Sequence, residues 1–328
     1  MNNSFSNLLF VLLSKTESIA LTTHVNSDGD GMVALFALQE ILWQKGLDST
    51  IISDGEDLSR YDFLMHKAKI LPFEDEMQFD ATIVVDCNSY DRLGARRALV
   101  DRAENVAVID HHILEHNPIE GDLLHIDYWQ VSVGAMIWQL FENEIMSYEP
   151  DLRNFLANCT YVSILNDTNN FVNANSKKEV FELAAKLCDE GIEPHVLNRE
   201  FFHNCSVSEI LYNGRTLSTI TMELDRRVLF LFSDYALAQE LDYDPENKMS
   251  VVRQVQGVAE ALGVIYCQEI KPDVWKVSLR SIILNVQEIA AKYGGGGHRK
   301  ASGLTMKGKL DAVKATLLSE FEKALEEA

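Results

Sequence analysis

The chain has 328 residues, 47% hydrophobic and 24% charged, an ordinary balance for a soluble globular protein and enough length for two domains. A formal net charge of −21 argues against a protein that grips long nucleic acid, which needs basic side chains to neutralise phosphates, yet leaves room for a small phosphorylated ligand held by a few local cations or metals. No stretch approaches the roughly 18 apolar residues of a membrane span. The five cysteines, Cys87, Cys159, Cys188, Cys205 and Cys267, show no CxxC spacing, which argues against a disulfide framework and points to a reducing cytoplasm.

The apolar run LLFVLL at 8–13 is short and has no basic segment before it, so it reads as the buried face of a first helix rather than a leader. Residues 19–24 read as a strand, NSDGDG at 26–31 as a polar loop, and 32–45 as a helix from its apolar spacing. A short strand at Ile51 and Ile52, a helix over 58–69 and a strand over 80–86 follow. A helix over 91–103 leads into VAVIDHH at 106–112, a buried β-branched run that ends in Asp110, His111 and His112. Residues 115–130 read as loop. Helices are expected over 132–145 and 151–166, then over 176–203 with a break near Gly191.

A connecting helix over 206–222 precedes a change in character. Strands are expected at 226–233, 263–270 and 273–281, and helices at 250–262, 285–293 and 310–326, with GGGGH at 294–298 as a loop. Strands alternating with helices predict an α/β fold: a doubly wound, mainly parallel sheet in the N-terminal domain, then a smaller α/β domain across a cleft. The expected division is 1–195 for the first domain, 196–220 for the connection and 221–328 for the second domain.

Four segments put metal-capable side chains at element ends: His24, Asp28 and Asp30; then Asp86; then Asp110, His111 and His112; then Asp167. DGDG alone also reads as a turn, and a lone Asp at a strand end as a helix cap. Together, carboxylates and imidazoles suit borderline divalent ions such as Mn²⁺ or Fe²⁺. Two such ions about 3.5–4 Å apart, joined by a bridging carboxylate, form the clamp used in phosphoester hydrolysis. In the second domain, GGGGHRKASG at 294–303 lets backbone N–H groups turn toward an anion, with His298, Arg299 and Lys300 adding donors. Arg280 and Ser281 are further candidate phosphate contacts. His66, His116, His125, His195 and His203 sit in no ligand-like spacing. The tryptophans, Trp43, Trp129, Trp138 and Trp275, mostly fit core faces, although one could stack on a base.

The ordered set HVNSDGDG, VVDCN, DHH, NDTNNF, LRS and GGGGHRKASG resembles the DHH phosphoesterase superfamily, in the subgroup with a DHH-associated C-terminal domain that contains oligoribonucleases and pAp phosphatases. The resemblance spans nearly the whole chain. It implies that His24 and Asp28 bind one metal and Asp30 the other, that Asp86 bridges both, and that His111 and Asp167 complete the ligand set of the second metal. It also implies that His112 lies near the scissile phosphate, that Asp110 orients a neighbouring imidazole, and that Arg280 and the Gly295-Gly296-Gly297-His298 run grip a terminal phosphate or nucleotide. Two positions depart from the pattern: Val33-Ala34 stand where relatives carry Gly-Ser, and Asn169 where relatives carry Gly.

The expectation is a cytoplasmic phosphoesterase with two divalent ions, Mn²⁺ being favoured. It would act on linear dinucleotides, short oligoribonucleotides or 3′-phosphoadenosine 5′-phosphate, with no long duplex and no membrane as partner; a homodimer is left open. A RecJ-type single-strand exonuclease, a family II pyrophosphatase and a non-catalytic nucleotide sensor are the alternatives.

Overall fold

Short runs of β-branched and small apolar residues become the strands of two sheets, each inside its own compact unit, residues 1–204 and 205–328. The computed structural model describes all residues except 1–4, 26, 56–57, 66, 115, 203–205, 245–249, 256 and 327–328, and leaves out the side chains of Ser250, Arg253 and His298.

In the first unit, β1 (Ile19–Thr22), β2 (Ser49–Ser53), β3 (Ile70–Pro72), β4 (Ala81–Val85), β5 (Asn105–Asp110) and β6 (Leu123–Ile126) form one parallel sheet. Their order is β3-β2-β1-β4-β5-β6. The helices are α1 (Phe5–Leu13), α2 (Gly29–Gln44), α3 (Arg97–Arg102), α4 (Val133–Leu140), α5 (Glu142–Ile145), α6 (Pro150–Asp167), α7 (Lys178–Asp189) and α8 (Pro194–Phe202). Side chains alternate across the pleat. Leu21, Ile83, Val85 and Ile109 join a core with α1, α2, α4 and α6, while Val84, Val106 and Val108 pack on the other face with Leu93 and Val100. Covered on both sides, β1, β2 and β4 are buried along their whole length, as parallel strands require.

Three expectations change. The helix over 58–69 is a single 3₁₀ turn, Ser59–Tyr61, followed by turns. Its apolar spacing is real, but among the described residues there only Tyr61 and Leu64 are buried. The stretch 115–130 contains β6, an edge strand that is partly exposed and so lacks the apolar signal of its neighbours. β3, three residues long at the other edge, was likewise invisible. The order of the sheet matters for the site. β1 lies between β2 and β4, so chain connections leave it in opposite directions. In such sheets ligands gather beyond the carboxyl ends of the strands at that reversal.

The second unit holds α9 (Val207–Leu217), β7 (Thr221–Glu223), β8 (Val228–Ser233), α10 (Tyr235–Glu240), α11 (Ser250–Val255), β9 (Gly263–Lys271) and β10 (Val274–Ser281). It continues with α12 (Val286–Ala291), β11 (Gly296–His298), β12 (Ala301–Lys307) and α13 (Leu310–Glu326). The sheet runs β11-β12-β10-β9-β8-β7, parallel only between β8 and β9. Phe230, Ile265, Val277 and Leu279 face α12 and α13, while Leu229, Leu231 and Val264 face α11. The helix at 206–222, expected as a connection, belongs to this unit: Tyr212 of α9 is 2% exposed and its hydroxyl donates to Ser233 Oγ at 2.6 Å. Of the helix expected over 250–262, Ser250–Val255 is helical among the described residues, and 257–262 is not. The second half of the GGGGH stretch, Gly296–His298, is an edge strand paired with β12. No described helix is long and apolar enough to cross a membrane.

Candidate metal centre

The carboxyl ends of β1, β4 and β5 deliver His24, Asp86 and the Asp110-His111-His112 triplet to one place. α2 brings Asp28 and Asp30, and α6 ends on Asp167. The Asp86 carboxylate lies between three imidazoles: His24 Nε2 is 3.4 Å from Oδ2, and His111 Nε2 and His112 Nδ1 are each 3.4 Å from Oδ1. His111 Nε2 also lies 3.1 Å from Asp167 Oδ2 and 3.5 Å from Asp30 Oδ2. All eight side chains proposed from the first unit's motifs are therefore in one neighbourhood. Two triplets with no common member, His24-Asp28-Asp86 and Asp30-His111-Asp167, each offer ligand atoms within 4.8 Å of one another.

Local chemistry explains the placement. Asp28 caps α2, its Oδ1 accepting from the N–H groups of Asp30 at 3.0 Å and Gly31 at 3.4 Å. Gly29-Asp30-Gly31 is thus the first helical turn, where a loop was expected. A side chain at Gly31 would bring Cβ within 2.5 Å of Thr23 Oγ1 and 3.2 Å of Asp86 Oδ2, so the helix approaches the cluster this closely only without one. Asp86 itself has φ 58°, a left-handed backbone that costs a non-glycine residue free energy and that turns the carboxylate out of the strand. Asn169 also adopts a left-handed backbone, φ 47°, which Asn tolerates well.

Several supporting residues have no motif. Arg96 is 1% exposed and forks onto Asp54 at 2.8 and 3.0 Å while donating to Thr22 Oγ1 at 2.6 Å and the His24 carbonyl at 3.0 Å. It fixes the β1 end from behind. Asp30 accepts from the N–H groups of Val133 at 2.7 Å and Gly134 at 3.1 Å, and from the Ser163 hydroxyl at 2.5 Å. Its carboxylate therefore also caps α4, an arrangement set by residues more than a hundred positions away. Asn88, inside the quoted VVDCN, donates to Asp110 Oδ2 at 2.6 Å. Asp110 Oδ1 in turn holds the His112 backbone N–H at 3.1 Å and Nδ1 at 2.9 Å. His24 Nδ1 and His111 Nδ1 face the carbonyls of Val25 at 2.8 Å and Gln130 at 3.4 Å, leaving both Nε2 atoms toward the cluster.

Charge is unbalanced in this pocket. Burial pushes Asp30 and Asp167 well above the usual carboxylate range, and neighbouring carboxylates push them further. Burial also opposes ionised Asp86 and protonated His111, yet their mutual contact wins: Asp86 falls below the usual range and His111 rises above the usual imidazole value. His24 and His112 rise despite burial, through Asp86 and Asp110 respectively. Asp86 Oδ1 and His111 Nε2, both buried, make no hydrogen bond. A native interior rarely leaves such atoms without a partner. Buried orphan donor atoms among crowded carboxylates and imidazoles fit divalent cations.

The second-unit candidates are less uniform. Arg280 is half-buried, its guanidinium Nη1 donating to the Leu279 carbonyl at 2.9 Å, and burial lowers its pKa. In register, Arg280 pairs with Ala301, which pairs with His298. The His298 side chain lies outside the described residues. The Ser281 hydroxyl is committed: it donates to Leu262 O at 2.6 Å and accepts from the N–H groups of Ile283 and Leu284 at 3.2 and 2.9 Å. The Gly295 N–H donates to Ala290 O at 2.9 Å, and a Cβ there would meet Gly303 O at 2.3 Å. Ser281 thus ties down the turn after β10, and Gly295 lets the chain after α12 pass close to β12. Gly296, Gly297 and Arg299 are exposed.

Residues 18–164 match the DHH family, N-terminal domain, and residues 235–327 match the DHHA1 domain. The bifunctional oligoribonuclease and PAP phosphatase NrnA of Thermus thermophilus is 28% identical over 320 residues, spanning 96% of this chain and 90% of its own. An exopolyphosphatase-related protein from Bacteroides fragilis has the same fold, with a TM-score of 0.84 at 21% identity over 98% of this chain and 96% of its own. RecJ from Thermus thermophilus, solved in complex with Mn²⁺, has a TM-score of 0.54 at 16% identity; the match covers 97% of this chain and 54% of RecJ.

Proposed function

We propose that the chain, whose residues 18–164 match the DHH family N-terminal domain and 235–327 the DHHA1 domain, is a metal-dependent phosphoesterase acting on short nucleotide substrates. These are linear dinucleotides such as pApA or pGpG, short oligoribonucleotides and 3′-phosphoadenosine 5′-phosphate. The observation that carries the reading is the pair of separate ligand triplets with Asp86 in contact range of both. The similarity to an oligoribonuclease and PAP phosphatase over nearly the full length of both chains supports the substrate class.

His24, Asp28 and Asp86 would hold one ion, and Asp30, His111 and Asp167 the second, with Asp86 shared; Mn²⁺ is the proposed metal. Two bound ions supply Lewis-acid stabilisation of phosphoryl oxygens and lower the pKa of a water. The chain's own groups do the rest. Asp110 fixes His112 through Nδ1, so Nε2 is the nitrogen left to hydrogen-bond a phosphoryl oxygen as charge develops there. Asn88 holds Asp110 in turn. In the second domain Arg280, Gly296, Gly297, His298 and Arg299 are the proposed contacts for a terminal phosphate or nucleotide; a guanidinium suits that role by its forked donors.

The test is a turnover panel in Mn²⁺ over pApA, pGpG, 3′-phosphoadenosine 5′-phosphate, a long single strand and pyrophosphate. Mononucleotide release from the dinucleotides, or AMP and phosphate from the bisphosphate, is expected. Activity confined to the long strand or to pyrophosphate would refute the substrate class.

A further inference from the structure

One exposed aromatic group beside the metal centre has no task in the chemistry described so far. Tyr128 and Trp129 are 58% and 75% exposed, with ring centroids 5.2 Å apart. By contrast Trp138 and Trp275 are 2% and 3% exposed. The exposed Lys177 puts Nζ 5.9 Å from the Trp129 ring centroid, within reach of a cation–π contact.

Both halves of this pair are tied to the metal centre. The residue after Trp129 is Gln130, whose carbonyl faces His111 Nδ1 at 3.4 Å. Asp127 holds the turn rigid, accepting from the Trp129 N–H at 3.1 Å and from Gln130 Nε2 at 3.1 Å. Lys177 closes the loop that follows α6. Asn173 and Asn175 in that loop donate to the Asp167 carbonyl at 3.0 and 3.2 Å. A large flat apolar ring and a cation are thus presented to solvent on two segments, each anchored to a different candidate metal ligand. An unpaired base offers a π-face to such a ring, and the phosphate beside it offers charge to the ammonium.

We propose that Trp129, backed by Tyr128, is the stacking platform for a base of the substrate, and that Lys177 pairs with a substrate phosphate. The assignment rests on the nucleotide reading and adds to it a recognition element in the first domain. Stacking explains how one site would accept several short nucleotides, because every base has a π-face and no base edge is read.

The test compares pApA with an abasic counterpart that keeps both riboses and all phosphates but lacks the bases. Mn²⁺-loaded wild type, Trp129→Ala and Trp129→Phe are used. Kd comes from rapid filtration before turnover, and KM and kcat from product release. Wild type should bind pApA about 10- to 100-fold tighter than the abasic compound, the range expected of one base–aromatic stack. Trp129→Ala should lose that preference, raising KM for pApA more than it lowers kcat, and Trp129→Phe should restore most of it. Base preference that survives Trp129→Ala, or a loss equal for both ligands, overturns the platform. The two readings fail separately. A wild type that binds pApA with base preference but releases no mononucleotide removes the hydrolytic reading and keeps the platform. Turnover of pApA that is indifferent to Trp129→Ala does the reverse.

Discussion

Asp30 and Asp86 are both buried carboxylates in one cluster, and the structure gives them unequal costs of removal. In Asp30→Ala the Val133 N–H, in a buried position, loses its acceptor at 2.7 Å. The Gly134 N–H keeps a second acceptor, Ser163 Oγ at 3.1 Å. An orphaned buried N–H costs about 1–3 kcal/mol, and loss of an anion at a partly buried helix N-terminus about 1–2 kcal/mol. Relief of the buried charge, which already pushes the Asp30 pKa up, offsets part of this. The net expectation is about 2–4 kcal/mol, or about 4–16 °C off the first unit's melting transition. Asp86→Asn keeps the volume, and Asn tolerates the left-handed backbone at φ 58°. Among the described residues Asp86 Oδ1 makes no hydrogen bond. Asn forfeits the imidazole contacts that hold the Asp86 carboxyl below its usual range but also relieves the burial of its charge, so that variant should be destabilised less than Asp30→Ala, by about 1–2 kcal/mol in chelator. Thermal and urea unfolding in EDTA measure both, and turnover in Mn²⁺ should be lost in both. The reasoning is refuted if Asp30→Ala melts with wild type, or if Asp86→Asn is destabilised as much as Asp30→Ala.

Three further outcomes are expected. Asp110→Asn should lower turnover about 10- to 100-fold with the fold intact, because an amide cannot accept from both Asn88 Nδ2 and His112 Nδ1 and brings no charge to hold the imidazole; steady-state kinetics and circular dichroism check this. Arg96→Ala should destabilise the first unit by about 3–5 kcal/mol, since a buried cation leaves Thr22 Oγ1 and the His24 and Ile52 carbonyls behind; urea unfolding reads it. Lys292 and Lys323 hold the Glu320 carboxyl below its ordinary value of 4.5. Its folded pKa is depressed, so its stabilisation is fully present above pH 4.5 and is lost as pH falls through the folded value. Glu320→Gln should therefore cost about 0.5–1 kcal/mol at pH 7 and flatten the acid limb of the second unit's stability, by melts between pH 2 and pH 7.

The residues that line the cluster were readable because strand ends in a parallel sheet carry their polar residues immediately after an apolar run, as at Asp86 and Asp110. What was not readable is set by distance. That Asp30 would cap α4, or that Arg96 would brace the His24 carbonyl, depends on packing between segments 103 and 72 residues apart. Arg96 in particular sits in a stretch, GARRALVDR, whose basic residues look like a solvated helix face. β6 escaped notice because an edge strand with Leu124 47% exposed carries no alternating pattern. The four glycines suggested a phosphate cradle by composition; their backbone groups are partly spent on closing α12 and pairing β11 with β12. Trp129 could be singled out only once its exposure was known.

The measurement that bears most directly on the central claim is mononucleotide release from pApA by protein stripped with chelator and then titrated with Mn²⁺. The account predicts no release from the stripped protein, with activity rising as metal is added and reaching its limit near two ions per chain. Equal release with and without metal, or full metal loading with no product from any short nucleotide, would contradict it.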